Sequence, residues 1–455
     1  MTGTGLRDAY TAATMQHCDI LIAPRWCIPV EPGNTVLTDH AVIVTNGAIA
    51  DLLPRQLADE RYQPSVVIER PSHVLIPGLV NAHTHAAMTL LRGFADDLPL
   101  EAWLRNGIWP AEKRWVSAEM VRDGTELAVA EMISAGITCF SDQYFFPEIV
   151  AETAVDRGMR AVVGTPVVDI PTSWARNFDE YVQKGADLVH DAFAEHPLIT
   201  SCFAPHSTAA LSDEAFTELR VMADQLDVRV QIHLHETAAE IEAALRTTGK
   251  RPFERLLDLG MINSSLLAVH AVFLTDSEIV RCVETGVAVA HCPRSNLKLA
   301  SGIAPIARYQ AAGVKLALGT DGAASNNVLD VLAEMRLAAL LAKVEADDAA
   351  ALSAFDTLRM GTLGGAEALG LAHTIGSIEI EKSADLACFD LEHLNTQPIY
   401  DVTSQLVYAT NAAQATDVWI AGRHQLEQGE LVNFDTGALL ARSDEWRQRF
   451  ASTPS

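Results

Sequence analysis

The chain has 455 residues, 49% of them hydrophobic and 20% charged, which is ample for a large buried core and leaves no polar tract long enough to stay disordered. Lys and Arg total 33 against 59 Asp and Glu, a formal net charge of -26, which repels phosphate backbones and argues against nucleic acid as a partner. No run reaches the ~20 apolar residues of a membrane span, and the opening MTGTGLRDAYTAA has no apolar signal-peptide core, so no membrane association and a cytoplasmic location are expected.

Residues 18–30 and 40–53 are short, β-branched and broken by turn signals, with Asn46-Gly47 as a hairpin cue. Residues 376–391 and 417–432 have the same character. Neither end is long enough for a stable sheet of its own, so residues 1–72 and 375–455 are expected to pair into one small β-sandwich. Between them, over residues 73–374, apolar strand-like runs alternate with helix-period segments such as AEMVRDGTELAVAEMISAG. The runs end near His85, Gln143, Gly164, His206, Glu236, Val272, Pro293 and Gly322. Eight strands alternating with helices is the count of a TIM (β/α)8 barrel. Cys18, Cys27, Cys139, Cys202, Cys282, Cys292 and Cys388 are odd in number and scattered through apolar runs, as buried thiols of a reducing compartment would be.

The polar residues in those strands carry the chemistry. His83 and His85 end the first strand, His206 the fourth, His233, His235 and Glu236 the fifth, His270 the sixth and Asp321 the eighth, with His291 late in the seventh. In a TIM barrel these strand ends form one mouth. His83 and His85 form an H-x-H pair, and a period of two turns both to one face. Adding a His from strand five and Asp321 leaves room for water, the open geometry of a catalytic zinc site. His233 and His235 share a face by the same period, and spacing does not choose between them. Glu236 has the reach to move a proton at the metal-bound water, and it is equally a first-turn helix carboxylate. His270 is equally a core histidine bonded to a carbonyl. No H-E-x-x-H, P-C-x-x-C, G-x-x-x-x-G-K-S/T or G-x-S-x-G pattern supports a rival chemistry.

The runs PGLVNAHTHAAMTLLRGFADDLPLEAWL, HLHETAAEIE, AVH ending at His270, HCPRSNLKLASG and LGTDGAASNN resemble the amidohydrolase superfamily. Within it they look most like the 5'-methylthioadenosine/S-adenosylhomocysteine deaminases, with chlorotriazine hydrolases and guanine deaminases as relatives. The resemblance implies one zinc ion per chain, held by His83, His85, His233 and Asp321. It implies Glu236 as catalytic acid, His270 and Asp321 at the reacting centre, and His206 on the substrate. It also implies Glu101 on the ribose hydroxyls, and Arg176 with Arg160 on the amino-acid carboxylate of S-adenosylhomocysteine. Arg160 begins strand three, so it sits at the wrong end of the barrel or serves a neighbouring subunit. The expected activity is hydrolytic deamination of adenine nucleosides by a homo-oligomer. Its rivals are the same machinery on another ring (a chlorotriazine, guanine or a pterin) and a non-enzymatic zinc-stabilised binding protein.

Overall fold

The computed structural model describes residues 15–451. The chain opens with β1 (Gln16–Cys27), β2 (Leu37–Thr38), β3 (His40–Thr45), β4 (Ala48–Pro54) and β5 (Tyr62–Pro77). Asn46 and Gly47 both take positive φ (51° and 79°), and they turn β3 onto β4 as a hairpin. The strands β6 (Leu79–Thr84), β7 (Ile137–Gln143), β8 (Arg160–Val167), β9 (Ile199–Pro205), β10 (Arg229–Leu234), β11 (Leu266–His270), β12 (Ala288–His291) and β13 (Lys315–Leu318) follow. The chain then adds β14 (Leu386–Asp390), β15 (Ala415–Ile420), β16 (Arg423–Glu427) and β17 (Glu430–Leu431).

Both chain ends build one mixed sheet, ordered β17-β16-β15-β14-β5-β1-β3-β4, with β2 on β1. The ends meet where β14 pairs antiparallel to β5, Cys388 opposite Leu75. The sheet curls on itself. Ile49 N donates to Lys382 O at 2.8 Å and Ala384 N to Gly47 O at 2.9 Å, so the β3–β4 hairpin lies against the approach to β14. Ile22, Val42, Leu75, Leu386 and Trp419 fill the space enclosed. The sandwich expected from the sequence is therefore one sheet folded over its own core.

β6 to β13 form the eight-stranded parallel sheet of a TIM barrel in chain order. Helices cover the strands outside and side chains fill the inside, so the strands read as continuous apolar runs and not as alternation. The interior is lined by small groups such as Ala82, Cys139, Cys202, Ala290 and Ala317. The ring closes where Asp321 N donates to His83 O at 3.0 Å and Asn81 Nδ2 donates to Thr320 Oγ1 at 2.7 Å. Gly78 is the link from sheet to barrel; a Cβ there would stand 2.1 Å from Thr138 Oγ1, so the close crossing demands glycine. A last helix, Thr436–Ala451, folds back on helix Ala118–Ser134, with Trp446 Nε1 donating to Asp123 Oδ2 at 2.8 Å. All seven cysteines are buried and free. Among the described residues no helix is long and apolar enough to cross a membrane.

Candidate active site and metal centre

Four ligand atoms converge at the mouth. One atom each from His83, His85, His233 and Asp321 lies within 4.8 Å of the others. His83 is the fifth residue of β6, and His85 follows the strand's last residue with φ -123° and ψ 79°, its ring joining that of His83 in the cluster. His233 comes from β10. Asp321 follows β13 in a left-handed conformation (φ 59°), a costly one for a residue with a Cβ, and its backbone is held by the closing bond to His83 O.

The outer nitrogens fix the tautomers. His85 Nδ1 donates to Gln143 O at 2.6 Å and His233 Nδ1 to His206 O at 2.7 Å, while His83 Nδ1 faces Gln231 Oε1 at 3.5 Å. Each ring therefore turns its Nε2 lone pair toward the others, the usual arrangement of imidazoles around a metal. His83 Nε2 lies 3.2 Å from His233 Nε2 and 3.5 Å from Asp321 Oδ1, and His85 Nε2 lies 3.1 Å from the same oxygen. Ligands about 2.0–2.1 Å from a tetrahedral ion are about 3.3 Å apart, so these spacings fit zinc. Burial keeps His83 (down to about 4) and His233 neutral, the form a ligand needs. Burial alone would push the Asp321 carboxyl up, but His83 and His85 hold it well below the usual range. Its other oxygen, Oδ2, accepts from Ser295 Oγ at 2.6 Å and Ser325 Oγ at 2.7 Å.

Glu236 and His270 stand beside this cluster. His270 ends β11 with φ 69°, stacks on His233 with centroids 5.4 Å apart, and places Nε2 3.9 Å from Glu236 Oε2. Its Nδ1 donates to Asn296 Oδ1 at 2.9 Å. Burial raises the Glu236 carboxyl and favours its protonated, donating form. Ser301 Oγ donates to Glu236 Oε1 at 3.1 Å. Helix Ala238–Thr248 starts immediately after, and its Glu240 carboxylate accepts from the backbone N of both His235 and Glu236, which sets the turn.

His235 does not share a face with His233. β10 stops at Leu234 and His235 is left-handed (φ 54°), so the alternation ends one residue too early. The ring is fully buried away from the cluster, where Nε2 accepts from Phe253 N at 3.2 Å and burial lowers its pKa to about 4. Arg160 also needs correcting. It is the first residue of β8, at the end opposite the mouth, and it binds Asp385 with Nε–Oδ2 2.7 Å and Nη2–Oδ1 3.0 Å. Further N–H groups reach Pro197 O and Ser383 Oγ of the same chain, so the guanidinium is engaged within its own chain at the end away from the mouth.

His206 lies exposed at the rim, its ring centroid 4.9 Å from His233. Glu101 and Arg176 lie in the connections leaving the mouth ends of β6 and β8, exposed and not among the converging atoms; Glu101 pairs with Arg105 at 2.9 Å and Arg176 with Glu180 at 2.7 Å. His291 is buried at the end of β12, its Nδ1 without a partner among the described residues, and is not among the converging atoms. Asn296, Ser295, Ser301, Ser325 and Glu240 were not singled out from the sequence. The first four lie in the polar runs HCPRSNLKLASG and LGTDGAASNN, and Glu240 is the fourth residue of the capping-type stretch TAAE. Tyr144, beside His85, donates to Glu112 Oε1 at 2.9 Å, a pair that spacing could not reveal.

A model described as the amidohydrolase family matches residues 74–424. The chain is 42% identical over 434 residues to a 5-methylthioadenosine/S-adenosylhomocysteine deaminase of Teredinibacter turnerae, covering 95% of this chain and 98% of the relative. It is 38% identical over 427 residues to a 5'-deoxyadenosine deaminase of Methanopyrus kandleri, covering 94% and 98%. Among solved structures, an adenosine deaminase from Xanthomonas campestris with bound zinc superposes with a TM-score of 0.95 at 50% identity, covering 96% of this chain and 100% of that one. A zinc-bound atrazine chlorohydrolase from Arthrobacter aurescens shares the fold at TM-score 0.88 and 24% identity, covering 94% and 99%.

Proposed function

The chain belongs to the amidohydrolase family, and on that premise we propose that it is a zinc-dependent deaminase of adenine nucleosides, with 5'-methylthioadenosine, S-adenosylhomocysteine and adenosine as the substrate class. One observation carries the reading. The four converging ligand atoms share a mouth with a carboxyl raised by burial, Glu236, and with an imidazole, His270, 3.9 Å from it. The deaminases named above support the ring acted upon.

His83, His85, His233 and Asp321 would hold one zinc, which would supply Lewis acidity and bring the pKa of water to about 7. Glu236 donates its proton to the purine ring nitrogen next to C6, which weakens aromatic resistance as water adds at C6. Asp321 and His270 orient the water and accept its proton. Glu236, now a carboxylate, takes the proton of the new C6 hydroxyl and passes it to the amine, which leaves as ammonia; the proton held by Asp321 or His270 then restores the Glu236 acid, and the inosine counterpart remains. The balance is nucleoside plus water giving inosine counterpart plus ammonia. His206 contacts the substrate at the rim. Glu101 accepts from two ribose hydroxyls, a task a carboxylate performs with its two oxygens. Arg176 offers a bidentate fork to an amino-acid carboxylate on the 5' side. A cytoplasmic enzyme is in keeping with seven buried free thiols. A homo-oligomer is in keeping with the exposed apolar Leu394 and Tyr400.

The test is ammonia release from adenosine, 5'-methylthioadenosine, S-adenosylhomocysteine, guanine, a pterin and a chlorotriazine, with metal analysis of the same sample. Ammonia from the three adenine nucleosides and one zinc per chain are expected. Turnover of another ring with none of the adenine nucleosides would sink the substrate class, and zinc with no turnover of any would favour a binding protein.

A further inference from the structure

Three of the reacting groups are touched by one short stretch of chain. Helix Pro293–Lys298 leaves β12 through Cys292 and ends in a turn at Ala300 and Ser301. From this stretch Ser295 Oγ donates to Asp321 Oδ2 at 2.6 Å, Asn296 Oδ1 accepts from His270 Nδ1 at 2.9 Å, and Ser301 Oγ donates to Glu236 Oε1 at 3.1 Å. All three residues are buried. The stretch is stiff. Ser301 N donates to Asn296 O at 2.8 Å, so the two side chains belong to one closed turn. Lys298 Nζ fastens the outer end to Ala324 O at 3.0 Å and to Asp96 Oδ1 at 2.7 Å.

From this arrangement we infer that Asn296 and Ser301 are positioning residues, acting through His270 and Glu236 respectively; the inference rests on the deaminase reading above. A neutral imidazole carries one N–H. With that N–H given to Asn296 Oδ1, the Nε2 lone pair of His270 faces the reacting centre, ready to take a proton from water. Asn296 Nδ2 is buried without a partner among the described residues, so it is the His270 bond that sets which way the carboxamide lies. Ser301 works on the carboxyl in a complementary way. By occupying Oε1 it leaves Oε2, the oxygen on the His270 side, as the one that carries and delivers the proton. A tightly closed turn that holds both partners keeps donor and acceptor in register without reorganisation during the reaction.

Ser301→Ala is expected to lower kcat about tenfold, the effect of one hydrogen bond to a carboxylate, with KM and zinc content unchanged, and Ser301→Thr restores the rate. In a Glu236→Ala background Ser301→Ala has no further effect, because its route to the reaction is gone. Asn296→Leu behaves the same way, losing about tenfold alone and nothing further in a His270→Ala background, and Asn296→Asp keeps the acceptor and the rate. Equal losses in both backgrounds would show that these residues only support the fold and overturn the inference. A second readout does not need turnover. Selective ¹⁵N-histidine labelling, with His270→Ala for assignment, is expected to show His270 as the Nδ1–H tautomer in the zinc-loaded chain and as a mixture in Asn296→Leu. Identical tautomer populations in the two proteins remove Asn296 from the role. A wild-type chain that releases no ammonia from any adenine nucleoside overturns the deaminase reading and the part of Ser301, while the tautomer measurement still decides Asn296.

Discussion

The two ends of the barrel both bury charge, and they treat it in opposite ways. At the end where strands begin, Arg160 meets Asp385 through two parallel hydrogen bonds, and further N–H groups find Pro197 O and Ser383 Oγ. The nearby sheet repeats the device with Arg70 on Asp417, both bonds at 2.6 Å. Each of these charges meets its complement in the same chain. At the end where strands finish, three Nε2 lone pairs and a carboxylate oxygen point at one another instead. The pairing there runs between the carboxylate and the imidazoles of His83 and His85, all of them groups that also ligate metal. Burial of charge therefore does not mark a site in this fold; the convergence of ligand atoms does.

The contrast can be broken by substitution, and the largest effect belongs to the mouth. Asp321→Ala or His83→Ala is expected to take zinc from one per chain toward none and to cost roughly 10³-fold or more in turnover, several kcal/mol of transition-state stabilisation. Metal analysis and ammonia release measure both, and retained zinc in either variant contradicts the ligand set. Glu236→Gln keeps the shape and removes the proton. Zinc stays, and kcat falls roughly 10²- to 10⁴-fold; near-normal turnover would discard the mechanism.

At the other end the signature inverts. Arg160→Met leaves the buried Asp385 carboxylate without its cation, with Ser383 Oγ and Ala421 N still donating to it, which costs about 3–5 kcal/mol of stability. Denaturant unfolding should register that loss, while the folded fraction keeps its zinc and its kcat; a fall in kcat on S-adenosylhomocysteine alone would return Arg160 to the substrate. His235→Ala sharpens the same comparison within one strand end. It is expected to keep its zinc and lose about 1–3 kcal/mol through the unpartnered Phe253 N–H, whereas His233→Ala loses the metal. Equal zinc loss in the two would reverse the assignment.

The smallest effect is expected at the rim. Arg176 is exposed and already paired with Glu180, so Arg176→Met should weaken turnover of S-adenosylhomocysteine about two- to tenfold and leave 5'-methylthioadenosine untouched, since an exposed ion pair contributes little. The ratio of the two kcat/KM values is the measurement, and an unchanged ratio takes Arg176 out of the site.

The residues themselves determined a good deal. Eight apolar runs alternating with helical segments specify a barrel, because strands covered on both faces have no polar side to show. The H-x-H of His83 and His85 specifies a shared face, because side chains two apart along an extended run point the same way. The two ends of the chain read as partners because neither has enough strands to stand alone. The same local rule failed at His235, and only the folded chain decided it: one left-handed residue after Leu234 turns that ring out of the site, and the closing of β10 against its neighbours sets where the strand stops. The fate of Arg160 was likewise decided by Asp385, 225 residues away, and those of Glu236 and His270 by a serine and an asparagine from a different strand's connection. Local periodicity fixes which way a side chain points within an element; which partner meets it, and so whether its charge is spent or free for chemistry, depends on contacts between distant segments that no short window of sequence contains.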